Sequence, residues 1–341
     1  MMKRFVPLFV AMGTVFFTLS TFAQIRSDTL TIRQIQEVPM DSLLAGKQNS
    51  PRTGDTITVT GTVVAAARTS PGGPMLFALG NAATIYIMDE SGGPWSGLNV
   101  RATDSVAAAS ILLTAVDTGF VIRVTGVVSQ YFTTTQFEIG KTAVWNADKQ
   151  VEVLDMRPRR PDPNEISLTD LVNGGPTSGI PTAQQWEGAY VVLRDVTVGT
   201  VSKNTSTGRY TWTIEDGRGN AIGVYDQSVY FRGGSQGVDP NWAPPPPGTR
   251  IEAIRGIITS SSQGIVIAPI YPGDIQLGSF PPTITALQRN PMFPTSHDDV
   301  TITAKVETAN PGASIAQVTL SYGQNTSPIA TVPMVNDSAT H

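Results

Sequence analysis

GDTITVTGTVVA, residues 54–65, is the stretch that decides the fold. Its Thr, Ile and Val side chains are β-branched, Gly54-Asp55 opens it as a turn would, and Gly61 interrupts it midway. That combination reads as a long β-strand that bends. The same character returns in TIYIMD (84–89), GLNVR (97–101) and FVIRVTGVVS (120–129), the last with Gly126 at its centre. Gly, Pro, Asp and Ser bound these runs, as they bound strands generally. Helical patterns are scarce. VPMDSLLA (38–45) and the Ala-rich SVAAASILLTAV (105–116), capped by Asp104 or Ser105, are the two candidates.

The chain also matches itself. LTIRQI (30–35) corresponds to ISLTDL (166–171), and GDTITVTGTV (54–63) to GAYVVLRDVT (188–197). IYIMDESGG (85–93) corresponds to WTIEDGRGN (212–220), LNVRATD (98–104) to AIGVYDQ (221–227), and FVIRVTGVVS (120–129) to RIEAIRGIIT (250–259). Five elements in one order read as two copies of one domain. Where the first copy has its Ala-rich segment, the second has RGGSQGVDPNWAPPPPGT (232–249), whose Pro and Gly forbid a helix. Between the copies lies DMRPRRPDPNE (155–165), a Pro-rich, charged stretch that suits an exposed linker.

These boundaries divide the chain into 1–23, 24–154, 155–165, 166–278 and 279–341. The first piece has Lys3 and Arg4 ahead of an apolar run and small residues at Thr21 and Ala23, the pattern of a cleaved signal peptide. It implies export to the outside or the cell surface, with no stable membrane insertion afterwards. In the last piece DVTITAKVET (299–308) and IAQVTLSYG (315–323) resemble the opening strands of an immunoglobulin or fibronectin-like sandwich, here incomplete. The expected fold class is therefore mainly β: two tandem five-stranded barrels followed by a partial sandwich.

In residue detail the first copy resembles the oligonucleotide/oligosaccharide-binding (OB) domains of secreted bacterial proteins, including accessory domains of extracellular nucleases. TIRQIQ (31–36), GDTITVTGTVVA (54–65), IYIMDESGGPWSGLNV (85–100) and VIRVTGVVSQYFTTTQFEI (121–139) carry the resemblance. It implies a five-stranded barrel and a non-catalytic binding or spacer module of a larger secreted or surface protein. The alternative it implies is a nucleic-acid-binding accessory region of a nuclease or other hydrolase whose catalytic domain lies outside this chain.

Composition limits the chemistry. With no Cys, thiolate catalysis and Cys-ligated metals are excluded for this chain, and with only His297 and His341 to supply imidazole most His-dependent mechanisms are not expected. No cofactor or metal ligand set and no catalytic residue is expected, and the chain is read as no enzyme. A net charge of -4 from 23 basic and 27 acidic side chains lacks the positive footprint of a strong polyphosphate binder. Single-stranded nucleic acid and polysaccharide remain the candidate partners, with the ligand itself undetermined.

The acidic turns 89–93 and 216–220 offer too few carboxylates for the six to eight oxygens calcium takes, and read instead as hairpin turns needing positive φ. Adjacent carboxylates such as Asp89 and Glu90 lie on opposite faces of a strand and cannot converge as a glycosidase pair. Aromatic side chains are left: Tyr86, Trp95 and Tyr131 in the first copy and Tyr210, Trp212 and Tyr225 in the second form the candidate stacking face for bases or sugar rings, set against core filling. Tyr86 alternates away from Ile85 and Ile87 and so is expected to face out. Arg101 and Arg123 read as solvated strand residues, Arg157, Arg159 and Arg160 as linker solubility, and His297 as an exposed loop residue.

Overall fold

The computed structural model of the chain describes residues 28–336, apart from 70–72, 75, 77–81, 104–105, 132, 142–149, 158, 173–182, 263, 279–281, 309–313 and 325–326. The stretch expected to be a signal peptide (1–23), the expected cap at Asp104 or Ser105, and His341 lie outside the described residues.

Among the described residues, twenty strands and three α-helices follow in order. The first half contains β1 (Asp28–Thr29), α1 (Ile32–Gln36), α2 (Met40–Leu44), β2 (Thr56–Ala65), β3 (Arg68–Thr69), β4 (Gly73–Pro74), β5 (Ala83–Met88), β6 (Gly97–Ala102), α3 (Val106–Thr114), β7 (Val121–Tyr131), β8 (Thr134–Glu138) and β9 (Val151–Asp155). The second contains β10 (Asn164–Glu165), β11 (Tyr190–Lys203), β12 (Tyr210–Glu215), β13 (Ala221–Val224), β14 (Arg250–Ser261), β15 (Gly264–Ala268) and β16 (Ile275–Leu277). Two hairpins end the chain, β17 (Thr283–Asn290) with β18 (Thr301–Glu307) and β19 (Thr319–Gln324) with β20 (Ser327–Pro333).

Strand order defines the fold. One sheet runs β1-β2-β5-β6-β8-β7-β9 and closes through β2–β7; the other runs β10-β11-β12-β13-β15-β14-β16 and closes through β11–β14. In each, five strands form a closed barrel, with a parallel pair, β6–β8 or β13–β15, beside antiparallel neighbours. This is the OB arrangement. The two halves also share their smaller parts: β1 and β10 each run parallel to the first barrel strand, and β9 and β16 each flank the fourth.

The glycines at the strand centres explain how the barrels close. A Cβ on Gly126 would meet the Glu138 carbonyl oxygen at 2.7 Å, and one on Gly256 the Ala268 carbonyl oxygen at 2.6 Å. At both places the fourth strand passes so near the fifth that only glycine fits, and long strands can turn there. Inside, Ile57, Val59, Ile85, Ile87, Val100, Ile122 and Phe137 fill the first barrel, and Val191, Leu193, Trp212, Ile214, Ile222 and Ile254 the second. Helix α3 lays Ala108, Ala109 and Leu112 onto the first barrel's core. In the second, the Pro-rich segment contains a short 3-10 turn, Gly234–Gln236, in place of a helix.

Two points depart from the sequence reading, and the first is that the region expected as a partial sandwich is described as two separate two-stranded sheets, β17-β18 and β19-β20. The second is TIRQIQ (31–36), which the internal match and the OB resemblance use without assigning it a conformation: it folds as helix α1, closed by a capping box in which Thr31 and Gln34 satisfy each other's backbone donors. The turns behave as read: Gly92, Gly93, Gly217 and Gly219 all take positive φ.

Candidate functional site

In an OB barrel the second and third strands, with the loops beside them, form the usual ligand face. For the first barrel these strands are β5 and β6. Alternation drives Ile85 and Ile87 into the core and turns Tyr86 and Met88 to the other side. That side is occupied. The Tyr86 hydroxyl donates to Gln227 Oε1 of the second half at 3.1 Å, and the residue is only 1% exposed. Burial pushes its phenol pKa up. Beside it, Asn164 Nδ2 lies 3.5 Å from Met88 Sδ, and Leu76 makes a β-bridge with Ser228.

Two glycines allow this approach. Gly97 opens β6 and Gly188 precedes β11 with φ +73°; a Cβ on Gly97 would collide with the Gly188 backbone, and a Cβ on Gly188 would sit 2.9 Å from the carbonyl carbon of Gly97. Backbone meets backbone at the seam. Around them the halves exchange hydrogen bonds. The Trp95 N–H donates to the Gln185 carbonyl at 2.6 Å, and the Thr134 and Ser260 hydroxyls are 2.7 Å apart. Glu187, buried at the same seam, accepts the Thr135 N–H at 2.7 Å and Gln184 Nε2 at 2.8 Å. Its surroundings supply no opposite charge, and loss of water drives its carboxyl up to about 8.

The linker is part of the same joint. Arg160 forms a two-pronged pair with Asp274, at 2.6 and 3.3 Å, and its guanidinium lies 4.4 Å from the Tyr190 ring centre and 4.5 Å from that of Tyr271. Asp274 also takes the N–H groups of Ile270 and Tyr271. The pair is mostly shut off from water, with the Arg160 side chain 19% and the Asp274 side chain 1% exposed. Arg160 therefore departs from the expected role of linker solubility, because an ion pair and two rings fix it. Arg157 bridges to Glu90 at 2.6 Å and Asp155 at 2.8 Å, and Arg159 to Asp162 at 3.0 Å. Together with Asp117, Thr118 and Phe120 of the first half and Tyr190, Arg255 and Tyr271 of the second, the linker bounds an open cleft of about 690 Å³.

The candidate aromatic residues are dispersed. Tyr86 does point away from its own barrel core, as alternation requires, yet the expectation that it faces out is corrected by the second barrel covering it. Trp95 is buried with Val38 and Leu43, and Trp212 fills the second barrel's core. Tyr225 is half-buried against the large core cluster that spans both halves. Tyr131, at the end of β7, is 57% exposed. Tyr210 is half-buried, with Trp242 edge-on at 6.2 Å and Lys203 Nζ 5.4 Å from its ring centre. No single face holds Tyr86 with Trp212. On the second barrel, Thr211, Thr213 and Glu215 alternate with the inward Trp212 and Ile214, so its β12 outer surface is polar rather than aromatic.

Arg101 is half-buried, with Nη1 3.4 Å from Gln136 Oε1, and Arg123 pairs with Glu152 at 2.7 Å on an exposed surface. His297 is exposed, as read. Among the described residues no helix is long and apolar enough to cross a membrane, and no cluster of three or more His, Cys, Asp and Glu is poised to hold a metal.

No family model matches the sequence, and no curated protein matches it. Among solved structures, the p204 HINb domain is similar at 15% identity and a TM-score of 0.26, over 66% of this chain and 98% of that one. The single-stranded DNA binding protein from Thermus aquaticus is similar at 12% identity and a TM-score of 0.18, over 68% of this chain and 96% of its own; a deletion mutant of it gives 13% and 0.18, over 67% and 98%. The OB assignment rests on strand order and barrel closure, which stand independently of these distant likenesses.

Proposed function

We propose that this chain is an exported, non-catalytic module that holds two OB barrels in one fixed geometry within a larger secreted or surface protein. The observation that carries the reading is the use of β5 and β6: the surface an OB barrel customarily offers a ligand is spent here on its neighbour, through Tyr86, Met88 and the Gly97–Gly188 contact. A barrel that gives up that surface for an apolar, hydrogen-bonded seam behaves as one body with its partner rather than as a bead on a string. Tandem copies of one domain, a signal peptide and a chain without Cys and with two His support the same reading.

The competing role, presentation of single-stranded nucleic acid to a catalytic domain elsewhere, calls for an open aromatic face and a positive surface. Fluorescence anisotropy of labelled single-stranded DNA, from about 20 to 200 mM salt, separates the two. The scaffold reading expects no saturable binding even at the lowest salt. Saturable binding that falls steeply with added salt overturns it in favour of the nucleic-acid role.

A further inference from the structure

We propose that the cleft between the two barrels binds a small phosphate-bearing ligand, gripped by Arg255 of β14 together with Arg157 and Arg159 of the linker. Arg255 is half-buried, lines the cleft, and has no ion pair or hydrogen bond to the described residues. Its charge is felt at the neighbouring Tyr190, where it opposes the effect of burial on the phenol. A guanidinium carries five donors in a fixed fork, and those of Arg255, on the wall of the open cleft, are left to a ligand or to water. An oxyanion in the cleft supplies an acceptor for them.

The carboxylates of the cleft are already engaged. Asp274 is saturated by Arg160 and two backbone N–H groups, Asp162 is paired with Arg159, and Asp117 turns an oxygen back to the Thr118 N–H. Arg255 is thus not neutralised from within. Arg157 and Arg159, in contrast, are held by carboxylates that stand in water: Glu90 is 71% and Asp162 86% exposed. Exposed pairs of that kind are weak and screened by salt, so they leave both guanidiniums available to a dianion.

Geometry favours phosphate over carboxylate. The cations come from two separate elements, the linker and β14, and a tetrahedral dianion presents oxygens in several directions where a carboxylate presents one planar fork. The cleft, about 690 Å³, exceeds a bare phosphate, and the half-buried Phe120 provides ring surface for whatever body the phosphate carries. Inorganic phosphate, a hexose phosphate and a nucleoside monophosphate share this group.

Calorimetric titration of the full chain with each of those three, and with glucuronate as the carboxylate comparator, tests the site. The expected result is saturable single-site binding of the phosphates, tighter than glucuronate, with affinity lowered at least about tenfold by Arg255→Met. R157M/R159M, on exposed linker positions that leave the barrels intact, is expected to weaken binding as well. Arg194→Met, outside the cleft, should leave it unchanged. The proposal is overturned if no phosphate saturates, if glucuronate binds as tightly, or if R157M/R159M and any folded Arg255→Met protein bind like wild type. Binding confined to single-stranded DNA, without response to the small phosphates, overturns it too.

Discussion

The Tyr86 hydroxyl and the Gln227 side-chain carbonyl, 141 residues apart in sequence, meet at 3.1 Å across the seam between the two barrels. Each belongs to a different barrel, and neither side chain is on a free surface. Tyr86→Phe removes one hydrogen bond and leaves an acceptor short of its partner, at an expected cost of about 1–3 kcal/mol. Tyr86→Ala also empties a ring-sized space and is expected to cost about 3–5 kcal/mol. Urea unfolding of the two variants checks both values.

Glu187 makes the joint sensitive to pH. Its carboxyl is raised from the usual 4.5 to about 8 by burial, against the lowering effect of the Thr135 N–H and Gln184 donors, and no charged group contributes to the shift. A raised acid binds its proton more tightly folded than unfolded. Its stabilising contribution is therefore complete below about pH 4.5 and is lost progressively as pH rises through 8. Thermal melts across that window should show the transition temperature of wild type falling relative to Glu187→Gln, in which the amide cannot ionise. Parallel curves for the two proteins would remove Glu187 as the cause.

Arg160 and Asp274 form the buried pair that fastens the linker. Taking away one partner strands a charge in a site with little water, so Arg160→Met is expected to cost about 3–5 kcal/mol. R160M/D274N leaves no lone charge and should recover part of that loss. A double-mutant cycle by urea unfolding measures the coupling, and additive single effects would show that the pair is not a unit.

Gly97→Ala places a methyl group against the Gly188 backbone. Gly97 lies outside the positive-φ region and its nearest atoms belong to the other half, so the barrel should remain folded while the seam opens. Hydrogen exchange is the readout: protection is expected to fall at the Trp95 and Thr135 amides, which donate across the seam, and to hold at Val124, inside the β2–β7 ladder. Equal protection at all three in wild type and variant contradicts the close contact.

Strand positions were legible because Thr, Ile and Val alternation is local, and the duplicated order of elements exposed the matching topology of the two halves. Helix α1 was missed since five residues hold too little periodicity, although Thr31 and Gln34 spell its capping box. The candidate site was read only in part. Alternation correctly turned Tyr86 away from Ile85 and Ile87, but nothing within β5 signals that another barrel lies against it. Glu187, Arg160 and Gly188 acquire their roles only from partners distant in sequence, and single residues of these types carry no local mark of burial or close approach.

The chain's lack of cysteine allows the central claim to be tested with two introduced thiols. Spin labels at Ser110→Cys on α3 and Thr211→Cys on β12, both exposed positions, report the distance between the barrels by double electron–electron resonance. The fixed seam predicts one narrow distance distribution, which broadens when Gly97→Ala is added. A broad distribution in the otherwise wild-type chain would mean that the barrels move independently, and would contradict the account.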